Sequence, residues 1–368
     1  MRRLLVGGGG TGGHVYPLLA VLEVVREAED APDVLYLGRS NSLEQRLAEQ
    51  HGVPFAAISA GGVRGMAPWR ALANLIRVSA GVGAALGEIR RFDPDVVLVT
   101  GGYVSVPVGV AARLVGVPVV VLLPDMEPGL AVRLLARLAT RVTVSCEEVE
   151  RWFQGGKAVV TGYPVRQMLV RGSREEARRR LGLSPDERML LVLGGSTGAK
   201  NINSAVLGSL PELLGLARVY HVTGALDYER VRSRWQALDA CAQGQYRIYS
   251  YVEKELADLL WAADLVVARA GAATLGEFPV AGLPSILVPG TYAGGHQMRN
   301  ATYLKDRGAA VVVEDGELSE RLLPTVRALL EDAPRLAEMA SAARRLARPQ
   351  ACQAIAGVLR EVARQRPR

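Results

Sequence analysis

Cysteine, histidine and aromatic residues are scarce in this chain, and each scarcity removes a class of chemistry. The three cysteines, Cys146, Cys241 and Cys352, stand far apart with no CxxC or Cys/His ligand spacing, which argues against a disulfide framework and a zinc site. They read as small buried apolar residues of a reducing cytosol. Aromatics make up 5% of the chain, and no segment interleaves them with Lys or Arg as a base-stacking surface does, so nucleic acid is not an expected partner. Long hydrophobic runs are missing as well. The longest apolar stretch, Val96 to Leu123, is broken by Gly101, Gly102, Pro107, Arg113, Gly116 and Pro118 and reads as two strands around a helix instead of a membrane span. The opening MRRLLVGGGG loses its apolar character after Val6; no secretory signal is expected, and the chain is placed in the cytoplasm.

What is present is basic, apolar and rich in glycine. A net charge of +7, carried mostly by arginine, favours anionic partners such as phosphorylated substrates or the inner-leaflet membrane surface. A chain of 368 residues with 49% hydrophobic content exceeds one core, so two domains of roughly 150 to 200 residues are expected. Short β-rich runs alternate with helical stretches: Leu4 to Val6, Val34 to Leu37, Val96 to Val99, Val117 to Leu122 and Val142 to Ser145, then Met189 to Leu193, Val219 to Val222, Arg247 to Tyr249, Leu265 to Ala268, Ser285 to Val288 and Ala310 to Val312. That alternation predicts an α/β fold of two open parallel sheets with helices on both faces. The expected division is 1–163, 164–349 and a C-terminal helix with a basic tail at 350–368, able to pack on either domain. Arg174 to Leu181 is expected to be a solvated linker helix.

Two glycine-rich turns each follow an apolar strand: LLVGGGGTGGH at Leu4 to His14 and LLVLGGSTGAKN at Leu190 to Asn201. In both, glycines let backbone N–H groups approach an anion, and the next helix offers its positive end. A ligand therefore belongs at the carboxyl ends of the strands, in a cleft between the halves. The first turn holds a literal G-x-G-x-x-G at Gly8, Gly10 and Gly13, which raises a dinucleotide-binding dehydrogenase. Against it, the second strand ends in Gly38-Arg39-Ser40, with no acidic residue for a ribose. His14 sits at the first helical turn, where the helix N-terminus favours the neutral ring that a general base needs. The competing reading is a capping or surface histidine.

In the second half, Ser196, Asn201 and Asn203 follow the glycines, and VVARAGAATLGE at Val266 to Glu277 is another strand, small-residue turn and helix. Ala272, Ala273 and Thr274 would open that helix toward a diphosphate, and Glu277 is placed to hold two ribose hydroxyls; a helix-dipole carboxylate is the plainer alternative. PGTYAGGHQMRNA at Pro289 to Ala301 gathers His296, Gln297 and Asn300, donors and acceptors suited to a sugar ring. Arg166 and Arg269 are candidates to neutralise phosphate or to join structural ion pairs. Asp93-Pro94-Asp95 mimics a DxD metal motif but lies at the entry of a strand, the wrong end for a ligand; it reads as a turn, and no metal is expected. From Val63 to Phe92, Met66, Trp69, Leu72, Leu75 and Ile76 recur at helical spacing beside Arg64, Arg70 and Arg77, followed by Arg90 and Arg91. This element suits either a lipid interface or packing on its own sheet.

Taken in order, GGTGGHVYP at Gly9 to Pro17, GGYVS at Gly101 to Ser105, GYPVR at Gly162 to Arg166, GGSTGAKNIN at Gly194 to Asn203, the turn Ala270 to Glu277 and HQ..NA at His296 to Ala301 resemble the signatures of the MurG family. These bacterial transferases add N-acetylglucosamine from UDP-GlcNAc to the lipid-linked muramyl-peptide precursor of peptidoglycan. The resemblance spans nearly the whole chain and implies the GT-B fold, two Rossmann-like doubly wound parallel-sheet domains with an interdomain cleft.

It further implies an inverting transfer in which an acceptor hydroxyl attacks the anomeric carbon while UDP departs. His14 is then the base, with Thr11, Gly12 and Gly13 near the reacting end of the donor and the acceptor, and Tyr103 and Asp125 among the substrate contacts. Arg166 and Ser196 would meet the diphosphate or nucleotide, joined by Asn203 and Arg269. Ala272, Ala273, Thr274, Leu275 and Glu277 would hold ribose and phosphate, Gln297 with His296 and Asn300 the sugar, and Val252 would lie near uracil. UDP-GlcNAc or UDP is a substrate in this reading, so no cofactor is implied; the acceptor is lipid-linked, at the cytoplasmic face of a membrane. The chain departs from the family pattern where a polar HEQN segment becomes Leu122, Leu123, Pro124, Asp125, and at Val132, Val106 and Gly295. These departures fall mostly on the acceptor side. A transferase acting on another lipid or small molecule, a UDP-sugar-binding remnant without turnover, and a sugar-nucleotide epimerase of similar fold stay open.

Overall fold

In a computed structural model the described residues are 1–58, 68–195, 198–290 and 295–366, with backbone alone for 68–78. The chain divides into two compact units, Met1–Gln167 with Pro349–Arg368, and Met168–Arg348.

The first unit is built on a seven-stranded parallel sheet in the order β3-β2-β1-β4-β5-β6-β7. Its strands are β1 (Arg3–Gly7), β2 (Asp33–Gly38), β3 (Phe55–Ala57), β4 (Val96–Val99), β5 (Val119–Leu123), β6 (Arg141–Val144) and β7 (Ala158–Val160). Inner strands covered on both faces need apolar side chains at their buried positions, and β4, β5 and the Leu4–Val6 stretch of β1 read as unbroken Val/Leu runs for that reason. The edge strands β3 and β7 were not legible as strands. Each is three residues long with no fully buried position, which leaves no core-facing pattern to read.

The C-terminal helix Ala351–Ala363 returns to this unit. Cys352, Ile355, Ala356, Leu359 and Val362 recur at helical spacing and enter the same core as Leu4, Val6 and Leu19. Arg360 pairs with Asp30 at 3.2 Å and Arg366 with Asp93 at 2.5 Å. Asp95 accepts backbone N–H groups from Arg2 and Arg3, so Asp93-Pro94-Asp95 is a turn that anchors β1. Burial works against the Asp95 charge, but those two donors outweigh it and hold the carboxyl below its ordinary range.

The second unit has a six-stranded parallel sheet in the order β10-β9-β8-β11-β12-β13. Its strands are β8 (Met189–Leu193), β9 (Arg218–Val222), β10 (Tyr246–Tyr249), β11 (Leu265–Ala268), β12 (Ser285–Leu287) and β13 (Ala310–Val312). The helix Arg174–Leu181 opens on a Ser173 cap and closes at Gly182 with φ of 68°. It does more than the solvated linker expected of it. Arg178 is buried, donating to the carbonyls of Ala262 (2.8 Å), Ser184 (2.7 Å) and Glu187, and Arg174 reaches Ala263 O at 2.8 Å and Asp264 at 2.6 Å. These guanidinium groups satisfy the last carbonyls of the helix Leu256–Ala262, where positive charge is favoured. Sequence pattern showed the charges but not the carbonyls awaiting them.

Both sheets have a point where chain order reverses. In the first unit the chain winds from β1 out to β3 and returns beside β1 as β4; in the second it winds from β8 to β10 and returns as β11. A crevice opens at the carboxyl ends of the strands at such a point, and the two glycine turns follow β1 and β8. Among the described residues no helix is long and apolar enough to cross a membrane. Apart from Arg90 and Arg91, both exposed, the side chains named for the amphipathic element from Val63 lie outside the described residues.

Because Leu359 is fully buried in the first unit's core, Leu359→Ala should cost about 2–5 kcal/mol of that unit's stability. Urea unfolding followed by hydrogen exchange of the β1 and β4 amides measures this. Arg360→Ala, removing a surface pair, should cost less than about 1 kcal/mol.

Candidate active site

In the first unit the turn after β1 and the loop after β4 meet. Gly10 has φ of 95° and carries the chain into Thr11, the extended N-cap of the helix Gly12–Arg26. Gly12 is buried and Gly13 exposed. His14 donates its backbone N–H to Thr11 O (3.1 Å), and its Nδ1 lies 3.3 Å from Thr11 Oγ1. Thr100 Oγ1, at the end of β4, donates to His14 O at 3.1 Å. A Cβ on Gly101 would stand 2.6 Å from His14 Nε2, and one on Gly102, at φ of 85°, would strike Gly9 O. The imidazole therefore lies against bare backbone, half-buried, with its other nitrogen beside a hydroxyl. Such a ring can take a proton.

The remaining first-unit candidates stand on other loops. Tyr103 is exposed on the loop after β4, and Asp125 is half-buried on the loop after β5. That loop is pinned by Ser145 Oγ donating to Pro124 O (2.7 Å) and by Arg133 donating to Pro128 O (2.9 Å) and Glu127 (3.0 Å). Leu122 and Leu123 complete β5, paired with Thr143 and Val144, and Val132 is buried on the helix Leu130–Leu138. Three of the departures are thus structural residues. Arg166 falls in the first unit, not in the second as the sequence division had it, with its guanidinium 5.6 Å from the centre of the Tyr16 ring.

In the second unit Gly195 and Gly198 have φ of 80° and 82°, and a Cβ on Gly198 would stand 2.5 Å from Thr223 O. Ser196 lies outside the described residues. Asn203, expected at the ligand, is instead fully buried, donating to Thr223 O (2.9 Å) and Asp227 (2.8 Å) and facing His221 Nε2 at 2.9 Å. With its amide N–H groups so engaged, Asn203 Oδ1 accepts from His221 Nε2–H, and His221 Nδ1 accepts from the Tyr246 hydroxyl at 2.8 Å. Asp227 is held by Arg230 at 2.6 Å. This chain braces Thr223 against the glycine turn. Sequence reading missed His221 on β9, Tyr246 on β10 and Asp227 before the next helix, because no local pattern marks which polar side chain turns inward.

Around the exit of β11, Arg269 pairs with Asp315 and donates to Val288 O (3.3 Å), and Asn300, fully buried, donates to Ala270 O (3.0 Å). Both act as internal ties. Ala272–Leu275 form one 3₁₀ turn started by Gly271, with Thr274 Oγ1 on Gly271 O (2.8 Å), and Glu277 opens the next helix, half-buried. The helix His296–Asp306 packs on that turn. Its Gln297 accepts the Gly290 N–H at 2.7 Å, and His296 Nδ1 has no hydrogen-bond partner among the described residues. Val252 is buried beyond β10, on the far edge of the sheet from Gln297. Among the described residues no cluster could hold a metal ion.

Burial pushes His221 down to about 3 from its ordinary 6.5; Asp227 opposes the shift and Arg230 adds to it. The unfolded chain binds this proton near 6.5 and the folded chain only near 3, so the stabilisation is complete above pH 6.5 and is lost as pH falls. The second unit should lose about 1.4 kcal/mol per pH unit through this ring below that point. Urea titrations from pH 7 to about 4, comparing wild type with His221→Gln, isolate the contribution, which the variant should lack.

The glycosyltransferase family 28 N-terminal domain matches residues 4–144 and the family 28 C-terminal domain residues 189–355. A UDP-N-acetylglucosamine–N-acetylmuramyl-(pentapeptide) pyrophosphoryl-undecaprenol N-acetylglucosamine transferase of Desulforudis audaxviator is 40% identical over 98% of both chains. The crystal structure of Acinetobacter baumannii MurG superposes with a TM-score of 0.76 at 28% identity, covering 98% of this chain and 100% of that one. A UDP-GlcNAc 2-epimerase from Neisseria meningitidis, bound to UDP-GlcNAc, reaches 0.68 at 14% identity over 98% and 100% of the chains, a likeness of fold alone. Two switch-point crevices with glycine turns, both family 28 domains in order and a full-length relative at that identity have one reading: the chain is a GT-B glycosyltransferase of family 28 and belongs to the MurG family.

Proposed function

We propose that this chain transfers N-acetylglucosamine from UDP-GlcNAc to an N-acetylmuramyl-pentapeptide pyrophosphoryl-undecaprenol acceptor in peptidoglycan synthesis, with inversion at the anomeric carbon. The observation that carries this reading is the full-length match to a transferase of that activity, 40% identical, in a chain whose glycine turns both stand at switch points. His14 takes the proton of the attacking hydroxyl. Thr11 orients the ring through Nδ1, and Gly12, Gly13, Tyr103 and Asp125 receive the acceptor and the reacting end of the donor. The second unit holds the nucleotide: amides at Ala272 and Ala273, with Thr274 and Leu275 beside them, face the diphosphate, Glu277 the ribose, Val252 the uracil, and His296 and Gln297 the sugar.

Arg166 and Ser196 complete the set as diphosphate contacts. Asn203, Arg269 and Asn300 support these loops from within. Negative charge building on the departing UDP is met by backbone amides and a helix start, a preorganised set of donors, so the proposed step uses no metal.

Membrane contact at the cytoplasmic face is part of the proposal. Leu130 (82% exposed) and Leu134 (43%) lie four residues apart on one helix, beside the exposed Arg133 and Arg137. Apolar side chains rimmed by cations suit an anionic lipid surface.

Incubation with UDP-GlcNAc and the lipid-linked muramyl-pentapeptide, with UDP release as readout, should show turnover; UDP binding without release would identify a remnant instead. UDP should raise the melting temperature and NADPH should not, which separates the transferase from a dehydrogenase. His14→Ala should lower kcat about 10²–10⁴-fold with UDP affinity unchanged. Equal losses in both would remove His14 from the role of base. Leu130→Glu should weaken cosedimentation with anionic vesicles several-fold at unaltered UDP affinity; undiminished binding would place the lipid contact elsewhere.

A further inference from the structure

Beneath the first glycine turn lies a carboxylate that the reaction does not use. Glu44, on the helix Leu43–Gln50, is fully buried, an arrangement too costly to persist without partners. Its Oε2 accepts the Gly10 N–H at 3.5 Å and its Oε1 accepts from Arg39 Nε at 3.3 Å. Two glycines make room for it: a Cβ on Gly9 would stand 2.6 Å from Glu44 Cδ, and one on Gly38 would stand 2.9 Å from Cγ. Nearby, the buried Tyr36 hydroxyl donates to Gly8 O at 2.8 Å. Each peptide of the turn is therefore fastened, Gly8 by Tyr36, Gly9 between Glu44 and the backbone of Gly102, and Gly10 by Glu44.

We infer that Glu44 is the positioning residue of the His14 turn: by filling the slot under Gly9 and taking the Gly10 N–H, it fixes where Thr11 and His14 stand. The inference rests on the reading of His14 as base. It also explains why a G-x-G-x-x-G sequence here is no dinucleotide cradle, since the Gly10 amide is already engaged by a carboxylate and a second anion would meet that charge. Arg39 is the ion-pair partner of the carboxylate, its Nε 3.3 Å from Glu44 Oε1. Glu44 acts through the backbone and touches no substrate, so its loss falls on the rate and spares nucleotide binding, which the other unit performs.

The experiment is steady-state transfer by the full chain, with UDP affinity measured alongside. Glu44→Ala should lower kcat about a hundredfold, the effect of misplacing a reacting group by about 1 Å, while KM for UDP-GlcNAc and the Kd of UDP stay within about twofold. Glu44→Gln, which keeps the length and an oxygen for the Gly10 N–H, should restore most of the rate. Gly9→Ala should cause a comparable loss in the wild-type background and almost none beyond it in Glu44→Ala, where its methyl has room. Wild-type kcat in a Glu44→Ala protein that binds UDP normally, or additive losses in the double variant, would overturn the role. If Glu44→Ala does not fold, Gly9→Ala alone decides, and an unchanged kcat overturns it. Full turnover by His14→Ala would instead bring down the base assignment, an outcome separate from any Glu44 result.

Discussion

In the first unit the carbonyl of Gly9 and the backbone of Gly102 touch with no side chain between them, and the His14 ring lies on Gly101. The candidate chemistry of that unit depends on this contact. Two loops leaving adjacent parallel strands are separated by little more than the strand spacing, so they can meet only if both are bare at the point of approach. The β1/β4 pairing sets the distance, the glycines remove the obstruction, and the helix starting at Gly12 turns the first imidazole of the chain into the gap. Shift any of the three and the ring no longer rests on a fixed surface.

The second unit answers the same geometric problem differently. Its glycine turn presses on Thr223, at the end of β9, and the turn after β11 is tied by Asn300 from below and by Arg269 through Asp315. Where the first unit aims a side chain, the second arranges backbone amides behind a brace of buried polar groups. A neutral His221 suits that brace, because a charge there would need water that the core excludes. Conformation is thereby supplied to the loops by residues tied to backbone and carboxylate within the fold.

Much of this was legible in the residues. Central strands declare themselves because parallel sheets demand apolar positions without interruption, and glycine turns declare themselves because no other residue fits backbone this close. The edge strands β3 and β7 did not, having no fully buried position to mark them. Direction was the harder matter. Asn203, Arg269 and Asn300 have the functional groups a nucleotide sugar needs, yet each is directed inward to a carbonyl or carboxylate contributed by a segment distant in sequence. Arg178 and Glu44, passed over as ordinary charges, proved to be buried. A polar side chain one residue from a ligand loop looks the same on paper whether it faces the ligand or the core; only the partner across the fold distinguishes them.

The helix Ala351–Ala363 closes the core around β1, yet it is the last regular element among the described residues, and the second unit is spliced into the sequence ahead of it. During synthesis at about 5–20 residues per second, the first sheet waits on the order of ten seconds with Leu4, Val6 and Leu19 uncovered while the inserted unit emerges and folds. The domain begun first is thus finished last. Its half-built state exposes that apolar surface until Ile355, Leu359 and Val362 arrive to cover it.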